Sequence, residues 1–297
     1  MRAEIFGGTR MHTIICFGEI LFDVYPTDAF IGGAPLNFAA HLARHGESAM
    51  MLSALGEDEL GAKALGWLEE NKIDSSLIKR SALPTGRCNV TLGKNGVPSY
   101  ELLCDVAWDE ISTELCSRRF DALYFGTLAL RSEHNRATLE RLIANNDFGE
   151  IFVDVNIRKP FYSADSLALA FSNATILKIS DEELPTVASL LGVNFTDTEE
   201  FCELICKKFD NIKLIVLTLG ANGALCYEAS TRRLTKTAAH KAKVASTVGA
   251  GDSFSAAFLH KYLGCSPIET CLDYASRLAA LVVSHYEAVP DYSPEKI

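Results

Sequence analysis

The stretch Ala245-Ser-Thr-Val-Gly-Ala-Gly-Asp-Ser-Phe-Ser-Ala-Ala-Phe-Leu259 joins a turn of small residues to the start of a helix. After the turn, one face of the helix is marked by aromatic residues at helical spacing, namely Phe254, Phe258 and Tyr262. The turn residues Gly249, Ala250 and Gly251 leave their backbone N–H groups accessible, and a helix N-terminus carries roughly half a positive charge. The segment therefore predicts a cradle for an anion such as phosphate.

Asp252 stands inside this cradle, where its carboxylate would repel a phosphate. Two roles are compatible with the local pattern. As the N-cap of the helix, Asp252 would only satisfy backbone amides. As a general base, it would remove a proton from a hydroxyl nucleophile held beside the phosphate. The segment alone leaves both roles open.

Outward from this segment, short apolar runs alternate with stretches of helical spacing. The predicted strands are 13–18, 49–53, 122–125, 151–155, 175–179 and 214–218. The predicted helices include 35–45, 60–71, 136–145 and 183–191. Such alternation is typical of a parallel sheet with helices on both faces. We therefore expect a doubly wound, mainly parallel α/β fold over residues 11–297, and we expect residues 1–10 to be a non-native extension.

One region breaks the alternation. Residues 85–92 and 97–103 alternate like strands around Asn95-Gly96, a pair that favours a tight hairpin turn. A hairpin does not fit within a strand–helix–strand crossover, so it should leave the main sheet. We expect a small β lid built from residues about 20–31 and 85–104. Its edge strands need cover, which a second copy of the chain would supply in a homodimer.

Composition excludes several functions. The chain has 297 residues, 48% hydrophobic and 22% charged, as in an ordinary globular protein. Its 28 basic and 38 acidic residues give a net charge of -10, which argues against nucleic acid or an anionic membrane surface as a partner. No apolar run is long enough to span a membrane, and nine cysteines without a Cys-x-x-Cys pair indicate reduced thiols. We therefore expect a cytoplasmic protein.

A second glycine-rich segment reads Phe30-Ile-Gly-Gly-Ala-Pro-Leu-Asn-Phe-Ala-Ala-His-Leu-Ala-Arg-His-Gly46. Its two glycines precede a helix that has Pro35 in its first turn and Gly46 at its end. Together with the Gly-Ala-Gly-Asp turn, it resembles the ribokinase-like (PfkB) family of carbohydrate kinases. The family's N-terminal motif is Gly-Gly-x-x-x-Asn-x-Ala-x-x-Leu-Ala-x-x-Gly, and the spacing matches from Gly32 to Gly46 without a gap.

Further segments extend the resemblance from about residue 13 to residue 290. Gly18-Glu-Ile-Leu-Phe-Asp23 is similar to the family's first strand and its sugar-binding aspartate. Asp154-Val-Asn-Ile-Arg158 resembles the Asp-x-Asn-x-Arg segment of fructokinase-like members. Thr218-Leu-Gly-Ala-Asn-Gly223 resembles the nucleotide loop, and Pro84-Thr-Gly86 opens the lid as in family members. Because the fragments occur in the family's order, the resemblance is specific.

The resemblance implies a sugar kinase that uses ATP and Mg²⁺, with fructose as the first candidate and ribose or a nucleoside as the alternative. It implies that Asp252 is the general base and that the amides of Gly249, Ala250 and Gly251 form an anion hole. The implied sugar-binding residues are Asp23, Gly32, Gly33, Asn37 and Arg158. The implied nucleotide-binding residues are Thr218, Gly220 and Gly223, and the implied metal residue is Glu183.

Three positions depart from the family pattern. The usual Asn-x-x-Glu reads Ser180-Asp-Glu-Glu183, and Ser246 replaces the aspartate that opens the family's Gly-Ala-Gly-Asp motif. Glu287 replaces the glycine of Gly-Ala-x-Pro near the C-terminus. Since the lost aspartate supplies charge to a potassium site in many relatives, we expect activation by K⁺ to be weak or absent, with Glu287 restoring some of it. A non-catalytic sugar-sensing protein is a further alternative, which the retained Asp252 disfavours.

Three other patterns give weaker signals. Residues 56–63 superficially resemble a P-loop, but acidic residues stand where phosphates would bind, so a helix start is favoured. His41 and His45 lie four apart on one helical face without an evident third metal ligand, and we expect surface histidines. The first strand lacks the Gly-x-Gly-x-x-Gly loop of a dinucleotide-binding dehydrogenase.

Overall fold

Strands and helices alternate along most of the chain in a computed structural model that describes residues 10–25, 27–92 and 98–297. The strands are β1 (Thr13–Phe17), β2 (Leu21–Val24), β3 (Ala29–Gly32), β4 (Ser48–Leu52), β5 (Ala54–Gly56), β6 (Lys79–Ser81), β7 (Gly86–Leu92), β8 (Pro98–Leu102), β9 (Arg119–Gly126), β10 (Asp147–Asp154), β11 (Ile176–Ser180), β12 (Leu214–Thr218), β13 (Ala224–Glu228) and β14 (Arg233–Thr237). The helices are α1 (Ala34–Arg44), α2 (Glu59–Glu70), α3 (Glu133–Asn145), α4 (Ala164–Asn173), α5 (Leu184–Leu191), α6 (Thr198–Lys208), α7 (Ala250–Leu263) and α8 (Ile268–Val282).

The main sheet has the strand order β14-β13-β12-β11-β10-β9-β1-β4. From β12 to β4 all neighbours are parallel, and these six strands are the six that the apolar runs predicted. The chain leaves β1 toward β4 on one side and returns to β9 on the other. In sheets of this kind, ligands bind beyond the carboxyl ends of the strands near such a reversal. The topology therefore directs attention to the loops after β1, β10, β11 and β12.

The sheet is covered on both faces, as predicted. Side chains of β1 alternate between two buried apolar clusters, with Ile14 and Cys16 in one and Ile15 and Phe17 in the other. The first cluster contains residues of α1, α2, α7 and α8. The second contains residues of α3, α4, α5 and α6. The helices α1 and α7, which carry the two glycine-rich motifs, therefore pack on the same face of the sheet.

Glycine and proline set the ends of α1. Gly33 is its N-cap at φ +122°, and a Cβ there would lie 2.4 Å from the carbonyl oxygen of Glu19, so only glycine fits the approach to the β1 loop. Pro35 occupies the first turn, where its missing N–H costs nothing. After the helix, Gly46 has φ +81° and ends it. The predicted loop, helix and stop are thus confirmed.

A separate four-stranded sheet has the order β3-β2-β7-β8. The strands β7 and β8 are antiparallel partners outside the main sheet, as the hairpin prediction required. The predicted turn at Asn95-Gly96 lies outside the described residues. Asp58 holds the entry to β7, because it accepts hydrogen bonds from both N and Oγ1 of Thr85 at 2.8 and 2.6 Å. Asp58 is also the N-cap of α2, which confirms that residues 56–63 begin a helix.

Several elements were not predicted. The helices α4, α6 and α8 and the antiparallel edge pair β13 and β14 carry mixed polar and apolar residues whose pattern is weak without knowledge of the covered face. All nine cysteines are free, as expected; the exposed ones are Cys104, Cys116 and Cys265. In the described part of the chain, no helix is long and apolar enough to cross a membrane. Of residues 1–10, only Arg10 is described, and it pairs with Asp121 at 2.7 Å.

Candidate active site

The two glycine-rich motifs meet where α1 and α7 begin. Nδ2 of Asn37, in the first turns of α1, donates to Oδ2 of Asp252, in the first turn of α7, at 2.8 Å. The two residues are 215 positions apart in sequence. The fold therefore brings one predicted sugar-binding residue and the predicted base into direct contact.

Asp252 does not cap its helix. The N-cap of α7 is Gly249, and the Asp252 side chain faces Asn37 instead. Burial raises the pKa of Asp252 to about 6, a shift that the Asn37 hydrogen bond opposes and the nearby Asp154 carboxylate reinforces. Lys178 and Arg158 lower it by their positive charge. A carboxylate with this pKa is mostly ionised at neutral pH and still basic enough to accept a proton.

The turn before α7 has the backbone that an anion cradle requires. Gly249 adopts the left-handed conformation, with φ +78° and ψ -5°. A Cβ on Gly249 would lie 2.6 Å from the Ala288 carbonyl oxygen, so the backbone of Ala288 packs directly against the turn. The amide of Ala250 donates to the Thr247 carbonyl at 3.3 Å and thereby closes the turn. Gly249 and Gly251 are the better candidates for direct contact with an anion.

A buried ion pair lies beneath the turn. Nζ of Lys178 donates to Oδ1 of Asp154 at 3.0 Å, and Ser255 Oγ donates to Oδ2 of the same carboxylate at 3.1 Å. Burial disfavours the charge on Lys178, but the Asp154 and Glu183 carboxylates outweigh this effect and raise its pKa. A Cβ on Gly251 would lie 3.3 Å from Nζ of Lys178. The positive charge of Lys178 therefore lies next to the N-terminus of α7 and adds to the positive electrostatic potential there.

Sequence reasoning missed Lys178, although one signal was present. Lys178 interrupts an otherwise apolar strand, and a lysine buried to 6% exposure requires a partner. That partner is set by register, because Asp154 and Lys178 are aligned on the neighbouring strands β10 and β11.

Of the other predicted sugar-binding residues, Asp23 and Gly32 belong to the small sheet and Arg158 follows β10. Asp23 lies on β2 opposite Cys88 of β7, and the Cys88 thiol donates a hydrogen bond to its carboxylate. Burial raises the pKa of Asp23, while this bond and the charge of Arg158 lower it. Arg158 is exposed, and its positive charge lowers the pKa values of both Asp23 and Asp252. Gly32 ends β3 directly before Gly33.

Glu19 is a second residue that sequence reasoning missed. It is 2% exposed, and its Oε1 accepts from the Ala34 amide at 3.3 Å, so it takes the place of a side-chain cap that Gly33 cannot provide. Among the described residues, its other oxygen has no hydrogen-bond partner. Burial raises the pKa of Glu19 to about 7, and the Asp252 charge adds to the shift. Glu19 and Asp252 are thus two carboxyl groups whose pKa values are both raised toward neutral pH.

The predicted nucleotide residues lie at the same edge of the sheet. Thr218 ends β12 beside Ser180 at the end of β11, and Gly220 and Gly223 shape the next turn with φ +54° and +94°. A Cβ on Gly223 would lie 2.0 Å from the Thr237 carbonyl oxygen, which explains the glycine. The structure therefore places this turn two strands from Asp154.

Glu183, the predicted metal residue, links two loops. Its Oε1 accepts from the Ile157 amide at 2.6 Å and its Oε2 accepts from the Ser180 amide at 2.8 Å. Each carboxylate oxygen keeps a second lone pair. Across residues 10–25, 27–92 and 98–297, no group of three or more His, Cys, Asp and Glu side chains is arranged to hold a metal. The donor set suits Mg²⁺ that arrives with a nucleotide, because Mg²⁺ needs only one or two protein carboxylates beside substrate phosphates.

The expectation of surface histidines at positions 41 and 45 is wrong. His41 is fully buried, and His45 is partly buried, with hydrogen bonds to the His41 carbonyl at 2.7 Å and the Tyr274 hydroxyl at 3.0 Å. The reason is tertiary: α7, α8 and the segment around Tyr292 pack over this end of α1.

Comparison with known proteins decides the family. A profile described as pfkB family carbohydrate kinase matches residues 11–296. The chain belongs to the pfkB family of carbohydrate kinases. This pfkB-family chain is 27% identical to probable fructokinase-2 of Arabidopsis thaliana, over 95% of this chain and 93% of that protein.

Two solved structures share the fold. The fructokinase of Vibrio cholerae O395, in a form with bound fructose, ADP and calcium ion, has a TM-score of 0.77 and 22% identity, covering 94% of this chain and 95% of that chain. The aminoimidazole riboside kinase of Salmonella enterica, complexed with aminoimidazole riboside and an ATP analog, has a TM-score of 0.77 and 21% identity, covering 96% of this chain and 98% of that chain. The resemblance to the ribokinase-like family and the predicted fold class are confirmed, and the chain is a carbohydrate kinase.

Proposed function

We propose that this carbohydrate kinase transfers the γ-phosphoryl group of ATP to a hydroxyl of a sugar, with fructose as the first candidate. The observation that carries the proposal is the Asn37–Asp252 contact at the N-terminus of α7, where a carboxylate of raised pKa stands beside a glycine turn. A base and an anion cradle at one point are what phosphoryl transfer to a hydroxyl requires.

In this proposal Asp252 accepts the proton of the attacking hydroxyl. Because Asn37 donates to Oδ2, we assign Oδ1 to the sugar hydroxyl. The Asn37 amide also stabilises the carboxylate form, which keeps the base ionised despite its burial. The sugar oxygen then forms a bond to the γ-phosphorus of ATP, the bond between that phosphorus and ADP breaks, and ADP leaves.

Charge that develops on the phosphoryl oxygens is met by three features of this chain. The amides of Gly249 and Gly251 point from the first turn of α7, and the helix dipole adds partial positive charge. The amide of Ala250 donates to the Thr247 carbonyl and so fixes the conformation of the turn. Lys178 supplies a full positive charge beneath Gly251, and Asp154 keeps the ammonium in place. Because these groups are fixed before the reaction, their stabilisation costs little reorganisation.

The sugar is held by Asp23, Asn37 and the backbone of Gly32 and Gly33, with Arg158 at the far end. A carboxylate and an amide can accept from and donate to neighbouring hydroxyls. The first choice of fructose is supported by the Asp154-Val-Asn-Ile-Arg158 segment and by the relative named as a fructokinase. The kinase that binds aminoimidazole riboside supports a ribose-containing acceptor as the alternative.

In this proposal ATP binds against Thr218, Gly220 and Gly223, and Glu183 would hold Mg²⁺. When bound, Mg²⁺ would neutralise phosphate charge. Ser246 binds the loop itself, since its Oγ accepts from the Val248 amide at 3.2 Å, and Glu287 is exposed. Weak or absent activation by K⁺ therefore stays our prediction. The non-catalytic alternative would leave the partly buried Asp252, with its raised pKa, without a role.

The four-stranded sheet is proposed to act as a lid over the sugar and to pair with a second copy of the chain. Its edge strand β3 carries Phe30, which is 60% exposed. An apolar side chain on an uncovered edge strand favours such pairing.

The test is ATP consumption with fructose, ribose, adenosine and 2-keto-3-deoxygluconate, by wild type and by Asp252→Asn. We expect one sugar to be phosphorylated, and we expect the variant to keep its fold and ATP affinity while kcat falls by roughly 10² or more. Asparagine keeps the shape of Asp252 and still accepts from Asn37, so packing is preserved. Wild-type turnover in the variant, or no ATP consumption with any acceptor, would contradict the proposal.

A further inference from the structure

The ring of His41 is held at both nitrogens. Its Nδ1 lies 2.8 Å from the Tyr292 hydroxyl oxygen, and its Nε2 lies 3.0 Å from the Ala288 carbonyl oxygen. A carbonyl oxygen can only accept, so Nε2 carries the proton and donates to Ala288. Burial lowers the pKa of His41 to about 3, so the ring is neutral and Nδ1 accepts from Tyr292. The ring is thereby fixed in one tautomer and one orientation.

The Ala288 carbonyl, to which His41 donates, also packs against the glycine turn at Gly249. A Cβ built on Gly249 would lie 2.6 Å from the Ala288 oxygen and 2.7 Å from its Cα. The two backbones therefore touch without room for a methyl group. Any displacement of Ala288 changes the support of Gly249.

His41 belongs to the helix that also holds the base. It follows Asn37 by four residues, so both side chains project from the same face of α1, one turn apart. Asn37 contacts Asp252, and His41 contacts Ala288. The helix α1 thus contacts the Asp252 carboxylate directly and the turn at Gly249 through Ala288.

We propose that His41 is a positioning residue for phosphoryl transfer. By holding the Ala288 carbonyl, it sets where the amide of Gly249 lies relative to the carboxylate of Asp252. The inference rests on the proposed kinase function. An amide that stabilises charge formed in the transition state affects kcat more than sugar binding. A displacement of about 1 Å is enough to lower the rate roughly 10²-fold.

A matched pair of substitutions tests the contact. The amide nitrogen of glutamine reaches the place of Nε2, whereas that of asparagine reaches only the place of Nδ1. We expect His41→Gln to keep at least half of the wild-type kcat. We expect His41→Asn to lose at least tenfold in kcat, with KM for the sugar unchanged within twofold. Equal losses in both variants, or wild-type kcat in a folded His41→Asn protein, would overturn the inference.

Two readouts do not depend on turnover. Hydrogen exchange over residues 245–252 should accelerate in His41→Asn and stay at the wild-type rate in His41→Gln. In the wild-type protein, ¹⁵N chemical shifts of the His41 ring should report the Nε2–H tautomer, unchanged between pH 5 and pH 8. A ring that titrates in this range, or an Nδ1–H tautomer, contradicts the inference even if the asparagine variant does not fold.

The same set separates this inference from the proposed function. If the wild-type chain phosphorylates no acceptor while exchange and tautomer behave as expected, the proposed function fails and the contact between His41 and the turn stands. If the wild-type chain is active and the two variants do not differ, the function stands and the role of His41 is refuted.

Discussion

Glu19 is buried and the nearby Asp252 is partly buried, and their pKa values are raised to about 7 and about 6. In each case burial is the main cause, and the two charges repel one another. At neutral pH the pair therefore holds part of a proton in excess of what two free carboxylates would hold. Both catalysis and folding stability should depend on this pair.

The pH dependence of kcat/KM should show a loss of activity on the acid side with an apparent pKa of about 6, since only ionised Asp252 accepts a proton. The measurement is kcat/KM between pH 5 and pH 9 at constant ionic strength. The same limb should remain at about the same pH in Glu19→Gln, because Glu19, with a pKa of about 7, is largely protonated where Asp252 titrates. A flat profile in wild type would remove Asp252 as the titrating base.

The free energy of unfolding should depend on the ionisation of Glu19. Its pKa is raised on folding, so its contribution is fully present below the unfolded pKa of about 4.5 and is lost as the pH rises through about 7. Glu19→Gln keeps an acceptor for the Ala34 amide and never ionises. The variant should therefore gain stability relative to wild type between pH 5 and pH 8, by about 3 kcal/mol at most. Denaturant unfolding of both proteins at pH 5 and at pH 8 measures this gain. If the free energies of unfolding of the two proteins differ by the same amount at both pH values, Glu19 is solvated.

At the residue scale, the sequence predicted those site residues that lie in contiguous motifs. Asn37 and Asp252 each stand in a glycine-rich segment with a recognisable spacing, and the fold brings their side chains into contact. Lys178, Glu19 and His41 escaped prediction because their meaning comes from partners on distant segments, at Asp154, Ala34 and Ala288. A buried polar residue is interpretable only when its partner is known.

At the scale of elements, the turn that starts α7 depends on a glycine that nothing else can replace. Gly249 has φ +78°, and its Cα hydrogen faces the Ala288 backbone. The prediction of secondary structure was good where a strand is buried on both faces, as in β12, whose bounds agree residue for residue. It was poor for α6, because charged residues interrupt the apolar residues of this helix and obscure their helical spacing.

Gly249→Ala should cost about 1 kcal/mol or more in stability from the left-handed backbone alone, and displacement of Ala288 should add to this cost. We expect kcat to fall by roughly 10² or more, since an amide of the cradle moves. Gly66→Ala in α2 is the control: a Cβ there has no atom within 4 Å, and alanine favours a helix, so stability should be equal or higher. Comparable kcat in both variants would show that the turn is not part of the site.

At the scale of the whole molecule, the four-stranded sheet is separate from the parallel sheet and is joined to the rest at identifiable points. One is the Asp58 carboxylate, which holds Thr85 at the entry to β7. Another is the short connection from β1 to β2, which carries Glu19. A sheet held in this way can move as a unit while the parallel sheet keeps its form.

If the sheet is a lid, sugar should slow hydrogen exchange in β7 and β8 more than in β10 or β11. Exchange measured with and without saturating sugar, by peptide mass spectrometry, tests this expectation. Equal protection in all four strands, or none in β7 and β8, would argue against a lid. Sedimentation over a range of concentrations tests the dimer separately, and a monomer throughout would remove it.

The Cys88 thiol next to Asp23 gives the molecule a chemical reporter of its own. Three thiols are open to solvent, whereas Cys88 is buried, and burial raises its pKa to about 11. A maleimide or disulfide reagent should therefore modify the open thiols first, and it should reach Cys88 only when the sheet moves away and uncovers the side that carries Asp23. The rate at which this one sulfur is modified can thus time the opening of the proposed sugar pocket, without any substitution in the chain.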